Sequence, residues 1–526
     1  MKTIKLFDTT LRDGSQSAGI SFTVDDMVRI AQSLDTFGMH YIEGGWPGSN
    51  PKHELFFQKV AGMKFKNARL VAFGSTRYKG STAAADINLR AIVRSKVKTA
   101  CIFGKTWDLH VVDALRTTPE ENLKMIADSV RFLKTKGLEV VYDAEHFFDG
   151  FKSNPTYALA TLRAACDAGA DTLTLCETNG GMLPSDIQEI VRAVRQSFPD
   201  AVLGIHAHND TDCAVANSIV AVQEGCTMVQ GTINGFGERC GNANLCSIIP
   251  ALQVKLGYHC LPDKKIVQLT ELSRYVDEIA NLLPNERQPY VGLNAFAHKA
   301  GIHVSAIERN ASTYEHIDPR QVGNERKILI SELSGKSNIV SKAKELSIDI
   351  DKDPRATAKI IELVKQAEHN GYQFENADGS FKLLSRKALG TYVPFFTLKG
   401  FRVIVEKNIS GCMVSEATIK LDVKGTEVHA VAEGDGPVNA LDSCLRKALE
   451  KIYPEICEMS LRDFKVRVIN AGASTAAKVR VLIESRDPHA TWGTIGVSEN
   501  IIEASWQALS DAVEYKLLTE QPAKKK

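Results

Sequence analysis

The chain has 526 residues, of which 44% are hydrophobic and 24% are charged, and its formal net charge is +1. This composition is typical of a globular protein with two or three domains, and the near-neutral charge argues against nucleic acid or a membrane surface as a partner. The 11 cysteines are scattered without a Cys-x-x-Cys pair, which favours free thiols in a reducing compartment. No signal-peptide-like apolar segment precedes the first β-rich run, so we expect a cytoplasmic protein.

Residues 1–260 repeat one unit eight times: a short β-rich run, a turn and a longer stretch with helical periodicity. Eight such units in about 250 residues predict a TIM barrel, with a doubly wound open sheet as the alternative. The predicted strands are residues 4–11, 41–45, 70–74, 99–103, 140–144, 172–176, 202–206 and 228–233. The predicted helices include residues 25–37, 120–136, 157–168 and 186–198.

Polar side chains collect where the predicted strands end. In a TIM barrel the carboxyl ends of all strands meet on one face, and catalytic sites lie there. We regard Glu177 as structural, either a solvated loop residue or a helix cap. The residues of this group are Arg12 and Asp13 after strand 1, Glu43 at strand 2, Glu145 at strand 5, Glu177 and Thr178 after strand 6, His206 and His208 at strand 7, and Asn242 after strand 8.

His206 and His208 are the most informative pair, because side chains two residues apart on a strand point the same way. Asp13 would add a carboxylate, and Asn242 in the glycine-rich run 235–245 could offer a neutral oxygen. Two imidazoles with oxygen ligands are a workable site for a divalent cation, and they suit Zn²⁺, Mn²⁺, Co²⁺ or Mg²⁺. The sequence therefore predicts a metal site without choosing the metal.

Residues 261–393 contain helical segments broken by turn signals, and we expect a helical linker subdomain outside the barrel. This segment carries His303 and Tyr314. A histidine in a flanking segment suits proton transfer completed on closure. A histidine on a helix surface is the alternative interpretation.

Residues 394–520 change to β runs and two helices. Three runs (401–405, 417–423 and 427–432) precede a helix at 439–452, and three more (464–469, 478–483 and 491–497) precede a helix at 501–517. This order predicts an internally duplicated α+β domain. Because few histidines or clustered carboxylates lie there, we expect the domain to regulate or dimerise rather than to catalyse.

Four motifs in chain order resemble the 2-isopropylmalate synthase and homocitrate synthase family. They are Asp8-Thr9-Thr10-Leu11-Arg12-Asp13-Gly14, His206-Ala207-His208, Gly237-Glu238-Arg239-Cys240-Gly241-Asn242 and Gly301-Ile302-His303. The similarity covers nearly the whole chain, including a C-terminal domain like the family's amino-acid-binding regulatory domain. Within the family, segments 41–52 and 142–150 look most like the R-citramalate synthases.

The resemblance implies a metal-dependent Claisen condensation of acetyl-CoA with pyruvate and water, which gives citramalate and CoA in isoleucine biosynthesis. It implies that the metal is held by Asp13, His206, His208 and Asn242, that Arg12 stabilises the developing alkoxide, that Thr178 binds the substrate carboxylate, and that His303 is the base supported by Glu145 and Tyr314. Positions at strand ends suggest Phe73, Ile102 and Tyr142 as candidates for the substrate pocket.

By the same analogy we expect a homodimer inhibited by isoleucine. The expected effector loops carry Gly434, Asp435, Gly436, Gly493 and Gly496, for which plain turns are the alternative. Three other functions stay open: a 2-isopropylmalate synthase acting on 2-oxoisovalerate, a lyase of the same barrel family such as HMG-CoA lyase, and a non-catalytic sensor that binds metal and keto acid. The length of the chain argues against the lyase.

Overall fold

The structure is a computed structural model, and it describes residues 2–262, 264–330, 336–346, 348, 354–407, 411–469 and 476–520. The chain divides into two compact units. The first comprises Met1–Phe296 with Ile317–Glu325, and the second comprises Ala297–His316 with Arg326–Lys526.

Eight parallel strands of the first unit close into a barrel in sequence order, which confirms the TIM barrel and excludes the open sheet. The wall is a complete ring, because the first strand pairs with both the second and the eighth. The strands are β1 (Lys5–Asp8), β2 (Tyr41–Gly45), β3 (Arg69–Ser75), β4 (Thr99–Lys105), β5 (Glu139–Glu145), β6 (Thr172–Glu177), β7 (Leu203–Ala207) and β8 (Met228–Gly231).

The helices of this unit surround the barrel, and their capping residues explain where several begin. Asn50, Thr118 and Asn154 each accept a hydrogen bond from a backbone N–H in the first turn, and a proline follows each of them. The helices are α1 (Val24–Phe37), α2 (Pro51–Val60), α3 (Ile87–Arg94), α4 (Asp108–Asp113), α5 (Pro119–Thr135), α6 (Phe147–Ser153), α7 (Pro155–Asp167), α8 (Pro184–Ser197), α9 (Ala214–Gln223), α10 (Leu245–Pro250) and α11 (Leu269–Ile279).

Side chains along each barrel strand point alternately outward and inward, which gives two layers of packed side chains. The larger hydrophobic core lies between the strands and the helices. A smaller cluster, which includes Phe7, Val71, Phe73 and Met228, fills the inside of the barrel. The polar residues that end the strands stand above this inner cluster, so the closed ring positions the candidate site.

The predicted domain boundary at residue 260 differs from the observed division. Helix α11 contacts α1, and Leu269, Leu272 and Val276 are buried in the core of the barrel unit. Residues 261–296 therefore belong with the barrel rather than with the predicted linker. The amphipathic pattern of α11 gave no indication of which surface would cover its apolar face.

The second unit begins with a short parallel pair, β9 (Ala297–His298) and β10 (Lys327–Ile328), and helix α12 (Gly301–Arg309). Helices α13 (Lys336–Glu345), α14 (Pro354–His369) and α15 (Asp378–Ala388) follow. Phe374 and Phe381 pack with Ile495 in one cluster, so these helices share a core with the C-terminal part of the unit.

The C-terminal part consists of two three-stranded antiparallel sheets, each followed by one helix, which confirms the duplicated α+β domain. The first half contains β11 (Thr397–Lys407), β12 (Met413–Val423), β13 (Thr426–Gly434) and α16 (Pro437–Leu449). The second half contains β14 (Ser460–Val468), β15 (Val479–Arg486), β16 (Thr491–Ser498) and α17 (Ile501–Glu520).

Within the described part of the chain, no helix has the length and apolar character that a bilayer crossing requires.

Candidate metal centre and active site

Three buried side chains converge at the carboxyl ends of β1 and β7. The possible ligand atoms of Asp13, His206 and His208 all lie within 4.8 Å of one another. The Oδ2 atom of Asp13 is 3.3 Å from Nε2 of His206 and 3.9 Å from Nε2 of His208. The two Nε2 atoms are 3.3 Å apart. The predicted convergence of a carboxylate and two imidazoles is therefore present.

Asn242 completes this group from the loop after β8. Its Nδ2 donates to Asp13 Oδ2 at 2.8 Å, whereas its Oδ1 is buried and has no hydrogen-bond partner among the described residues. A buried amide oxygen without a partner is costly, and a cation would relieve that cost. The donor set of one carboxylate, two imidazoles and one amide oxygen therefore fits a divalent metal ion.

Electrostatics give two of the ligands the charge states that a cation requires. Burial alone would raise the pKa of Asp13, but the Arg12 guanidinium and the two imidazoles outweigh it and hold the pKa well below its usual range. Burial, reinforced by the neighbouring His206, lowers the pKa of His208 to about 3. At neutral pH, Asp13 is thus an anion and His208 a neutral imidazole, as metal coordination demands.

Arg12 is held beside this cluster by three contacts. Its Nε donates to Glu43 Oε2 at 2.6 Å, and its Nη1 is 3.5 Å from Asp13 Oδ1. The guanidinium lies 3.9 Å from the centroid of the Phe73 ring. Glu43 is fully buried and also accepts from Thr9 Oγ1 at 2.7 Å. A fixed guanidinium next to the candidate metal ligands can stabilise negative charge that develops there.

Three aromatic side chains form a wall on the inner side of β2, β3 and β4. Trp46 contacts Phe73 and Phe103 edge-on, with ring centroids 5.6 Å apart in both pairs. Phe73 and Phe103 stack at 5.5 Å. Because Phe73 also lies under the Arg12 guanidinium, this aromatic wall (Trp46, Phe73 and Phe103) limits the room beside Arg12.

The carboxyl ends of β5 and β6 are linked by a strained residue. His146 adopts a left-handed conformation with φ 56°, which few residues other than glycine take up. Its backbone N–H donates to Thr178 Oγ1 at 2.9 Å. The preceding Glu145 pairs with Lys105, whose Nζ is 2.5 Å from Glu145 Oε2. Because Thr178 accepts this bond, the proton of its hydroxyl is left to donate to another group.

Comparisons with known proteins agree along the length of the chain. The HMGL-like family matches residues 3–276, the homocitrate synthase post-HMGL domain-like family matches 290–371, and the LeuA allosteric (dimerisation) domain matches 375–517. The (R)-citramalate synthase of Geobacter sulfurreducens is 56% identical over 518 residues, which cover 98% of both chains. That of Aquifex aeolicus is 53% identical over 519 residues with the same coverage.

The chain belongs to the HMGL-like family, among its (R)-citramalate synthases. This membership confirms the family predicted from the four motifs and the prediction of an acyltransferase-type enzyme. A probable 2-isopropylmalate synthase of Methanopyrus kandleri is more distant, at 30% identity over 505 residues that cover 96% of both chains.

Two pocket residues predicted for this (R)-citramalate synthase family member lie on the wrong side of the barrel wall. Tyr142 is fully buried in the core between strands and helices, where an added Cβ at Gly104 would meet its hydroxyl. Ile102, its partner in register on β4, lies in the same core. The residues that face inward at these levels are their neighbours Phe103 and Asp143, because side chains alternate along a strand.

Glu177 is structural, as predicted, but it is not solvated. It is fully buried, and its Oε1 accepts from the backbone N–H of Gly181 at 3.0 Å in the loop before α8. Burial raises the pKa of Glu177 to about 7. Its side chain points away from the metal ligands because it alternates with Thr178 and Cys176 along the chain.

The remaining predicted catalytic residues, His303 and Tyr314, lie in the second unit and contact each other. Their rings stack with centroids 4.0 Å apart and an interplanar angle of 27°. His303 is half-buried on α12, and Tyr314 is 45% exposed. The helix-surface alternative therefore describes the position of His303, while its catalytic role stays a prediction.

The predicted effector positions are less uniform than expected. Gly434 is the last residue of β13, and Asp435 and Gly436 form the predicted turn before α16. Gly493 and Gly496 instead lie within β16, where an added Cβ would come 1.8 Å from the Asn376 carbonyl oxygen and 2.0 Å from that of Ala504. These two glycines serve close backbone packing and are not loop residues, so they lack the turn geometry on which their predicted role depended.

Sequence reasoning missed two polar residues inside the barrel, Asp143 and Gln230. Gln230 Oε1 lies 2.9 Å from Nδ1 of His206, and Gln230 Nε2 donates to Asp143 Oδ1 at 2.8 Å. The sequence could have indicated Asp143, because it precedes Glu145 by two residues in β5 and must share its face. Gln230 was harder to predict, since a glutamine in the apolar run of β8 has no typical function.

Proposed function

We propose that the chain condenses acetyl-CoA with pyruvate and water to give (R)-citramalate, CoA and a proton. One observation carries the proposal: the buried Asp13–His206–His208 cluster stands next to a fixed Arg12 guanidinium and the aromatic wall. The high identity to two proteins named (R)-citramalate synthase supports the choice of reaction.

Asp13, His206, His208 and Asn242 would hold the divalent metal ion. When bound, the ion supplies Lewis-acid polarisation of the 2-oxo acid carbonyl. Zn²⁺, Mn²⁺, Co²⁺ and Mg²⁺ are all compatible with this mixture of nitrogen and oxygen donors. Arg12, fixed by Glu43 and Phe73, directs its remaining N–H groups at the carbonyl oxygen, where negative charge develops as the new carbon–carbon bond forms.

His303 acts as the base that takes a proton from the methyl carbon of the acetyl group. Tyr314 holds the imidazole in place through the stacked contact between the two rings. Such general-base assistance is typically worth about 10²–10⁴-fold in rate. Glu145, whose carboxylate Lys105 keeps in position, supports this proton transfer.

Pyruvate is the acceptor that the inner wall supports best. Thr178 donates its free hydroxyl proton to the substrate carboxylate, because its oxygen already accepts from His146. The aromatic wall leaves the small methyl group of pyruvate as the side chain that fits beside Arg12. We infer that a branched 2-oxo acid such as 2-oxoisovalerate binds less well there, because its isopropyl group needs more room than a methyl group.

We further infer that the chain forms a cytoplasmic homodimer that isoleucine inhibits. The matched LeuA allosteric (dimerisation) domain supports association through residues 375–517. Strand β14 supports it too, because Leu461, Val466 and Val468 are 50%, 43% and 52% exposed on one sheet. The absence of a Cys-x-x-Cys pair among the 11 cysteines of the sequence agrees with a reducing compartment.

The test is the release of free thiol when the purified chain is mixed with acetyl-CoA and each of three acceptors. We expect metal-dependent thiol release with pyruvate, abolished by a chelator, and little with 2-oxoisovalerate or 2-oxoglutarate. Chiral chromatography should identify (R)-citramalate as the product.

The inferred dimer and its inhibition need two further measurements. Light scattering should give twice the chain mass, and isoleucine should lower the rate of thiol release.

Two of the alternative functions, 2-isopropylmalate synthase and the non-catalytic sensor, give different results in that assay. Faster thiol release with 2-oxoisovalerate than with pyruvate would identify a 2-isopropylmalate synthase. Binding of metal and pyruvate without any thiol release would indicate a sensor and refute the proposal.

A further inference from the structure

A chain of polar side chains runs down from the metal ligands into the barrel. His206 Nδ1 lies 2.9 Å from Gln230 Oε1, and Gln230 Nε2 donates to Asp143 Oδ1 at 2.8 Å and to Thr174 Oγ1 at 3.3 Å. Gln230 and Thr174 are fully buried, and Asp143 is 3% exposed. Each bond in this chain is therefore made away from solvent.

The directions of these hydrogen bonds follow from chemistry. The end of Gln230 that meets Asp143 Oδ1 and Thr174 Oγ1 is its amide nitrogen, for which these oxygens are the acceptors. The other end is then the amide oxygen, which only accepts, and it faces His206 Nδ1. His206 must therefore carry its proton on Nδ1. Its other nitrogen, Nε2, faces Asp13 at 3.3 Å and is the atom left to bind the metal ion.

We propose that Gln230 and Asp143 are positioning residues that fix His206 as the Nδ1–H tautomer and orient its Nε2 toward the divalent metal ion. This inference rests on the proposed function, because it needs a metal at Asp13, His206 and His208. An outer hydrogen-bond partner of this kind fixes both the tautomer and the ring angle of a metal-binding histidine. The carboxylate does so here through an intervening glutamine instead of touching the imidazole.

The first experiment measures the dissociation constant of Zn²⁺ or Mn²⁺ by competition with a chromophoric chelator, with no substrate present. Gln230→Leu removes the acceptor for His206, and we expect metal affinity to fall by about 10–100-fold. Gln230→Glu keeps that acceptor but sets two carboxylates against each other, so we expect a loss of similar size. Asp143→Asn retains an oxygen that can accept from Gln230, and its effect should stay within about 3-fold, well below the loss expected from an outer partner.

The decisive variant combines Gln230→Glu with Asp143→Asn. The amide nitrogen of the new asparagine can donate to the new carboxylate, which still accepts from His206. We expect the pair to recover most of the affinity that Gln230→Glu loses. Purely structural damage would not be repaired in this way, because each change disturbs the same packed interior.

Asn217→Leu is the matched control, since Asn217 is a fully buried amide of the same unit that bonds to the Met182 carbonyl and touches no metal ligand. It should lower thermal stability without changing metal affinity. The inference is wrong if Gln230→Leu binds metal as tightly as the unmodified chain, or if the double variant binds no better than Gln230→Glu. Failure of the unmodified chain to bind metal would instead refute the proposed function.

Discussion

Asp143 and Tyr142 are adjacent in β5, yet their side chains lie on opposite sides of the barrel wall. This alternation of side chains along a strand explains which site residues the sequence could predict. His206 and His208 are two residues apart, so their shared face did not depend on knowing which side was inside. Tyr142 and Ile102 were assigned from their position at strand ends alone, and an error of one residue placed them in the outer layer.

Because side chains alternate along β4, substitutions at the neighbouring residues Phe103 and Ile102 should affect the choice of acceptor differently. Phe103→Ala removes a ring from the aromatic wall and should let a branched acceptor approach Arg12. We expect the ratio of kcat/KM for 2-oxoisovalerate to that for pyruvate to rise by about 10–100-fold, the usual size of such a pocket effect. Steady-state kinetics on both acids provide the measurement.

Ile102→Ala is the control for this prediction, because Ile102 is fully buried on the outer side of the same strand. It should lower stability and leave the ratio unchanged. An equal change of the ratio in both variants would show that the wall does not select the acceptor.

At the scale of elements, the loop between β6 and α8 places a titratable group out of reach of water. The carboxyl of Glu177 is fully buried, and its pKa rises from 4.5 to about 7 on folding because burial disfavours the charged form. The folded state therefore favours the protonated form. The stabilising effect of this group is complete below pH 4.5 and is lost as the pH rises from 4.5 to 7.

Glu177→Gln should remove this pH dependence, because the amide stays neutral and its oxygen can still accept from Gly181. We expect little change in melting temperature at pH 5 and a clear increase at pH 8.5, with an upper bound of roughly 3 kcal/mol in the free energy of unfolding. Glu189→Gln, an exposed carboxylate on α8, is the control and should have no such effect. A melting temperature raised equally at both pH values would contradict the role of ionisation.

The loop after β8 shows why the sequence could suggest Asn242 but not its position. Asn234 donates from Nδ2 to the Ser273 carbonyl at 2.8 Å and to Asp277 Oδ1 at 2.7 Å, which ties the loop to α11. The next residue, Gly235, accepts from the Asn242 backbone N–H at 3.1 Å. The placement of this ligand thus depends on a helix that the sequence assigned to another domain.

Over the whole molecule, composition located the change from helices to β structure near residue 394, and the two sheets beyond it confirm that change. Composition could not show which apolar surfaces meet. Phe374 and Phe381 from the helical segment share a core with Ile495 of β16. Helices α13 to α15 and the second C-terminal sheet therefore share one hydrophobic core, although their sequences differ in character.

Ending the chain at residue 393 should leave this shared core open. The barrel keeps its own core, so we expect that unit to remain folded. Helices α14 and α15 lose the partners of Phe374 and Phe381, and proteases should cut residues 354–388 much faster than in the full chain. Limited proteolysis followed by mass spectrometry gives the sites and rates. Equal protection of these helices in both proteins would show that they fold without the C-terminal sheets.

The left-handed backbone at His146 limits any attempt to redesign the rim of this barrel. A residue that replaces it must tolerate φ near 56° and still present its N–H to Thr178. Glycine, asparagine and aspartate meet the first condition, whereas valine, isoleucine and threonine do not, and proline meets neither. Most members of a library that randomises residue 146 would therefore carry an amino acid that this backbone does not accept. Such a library should restrict the position to histidine, glycine, asparagine and aspartate.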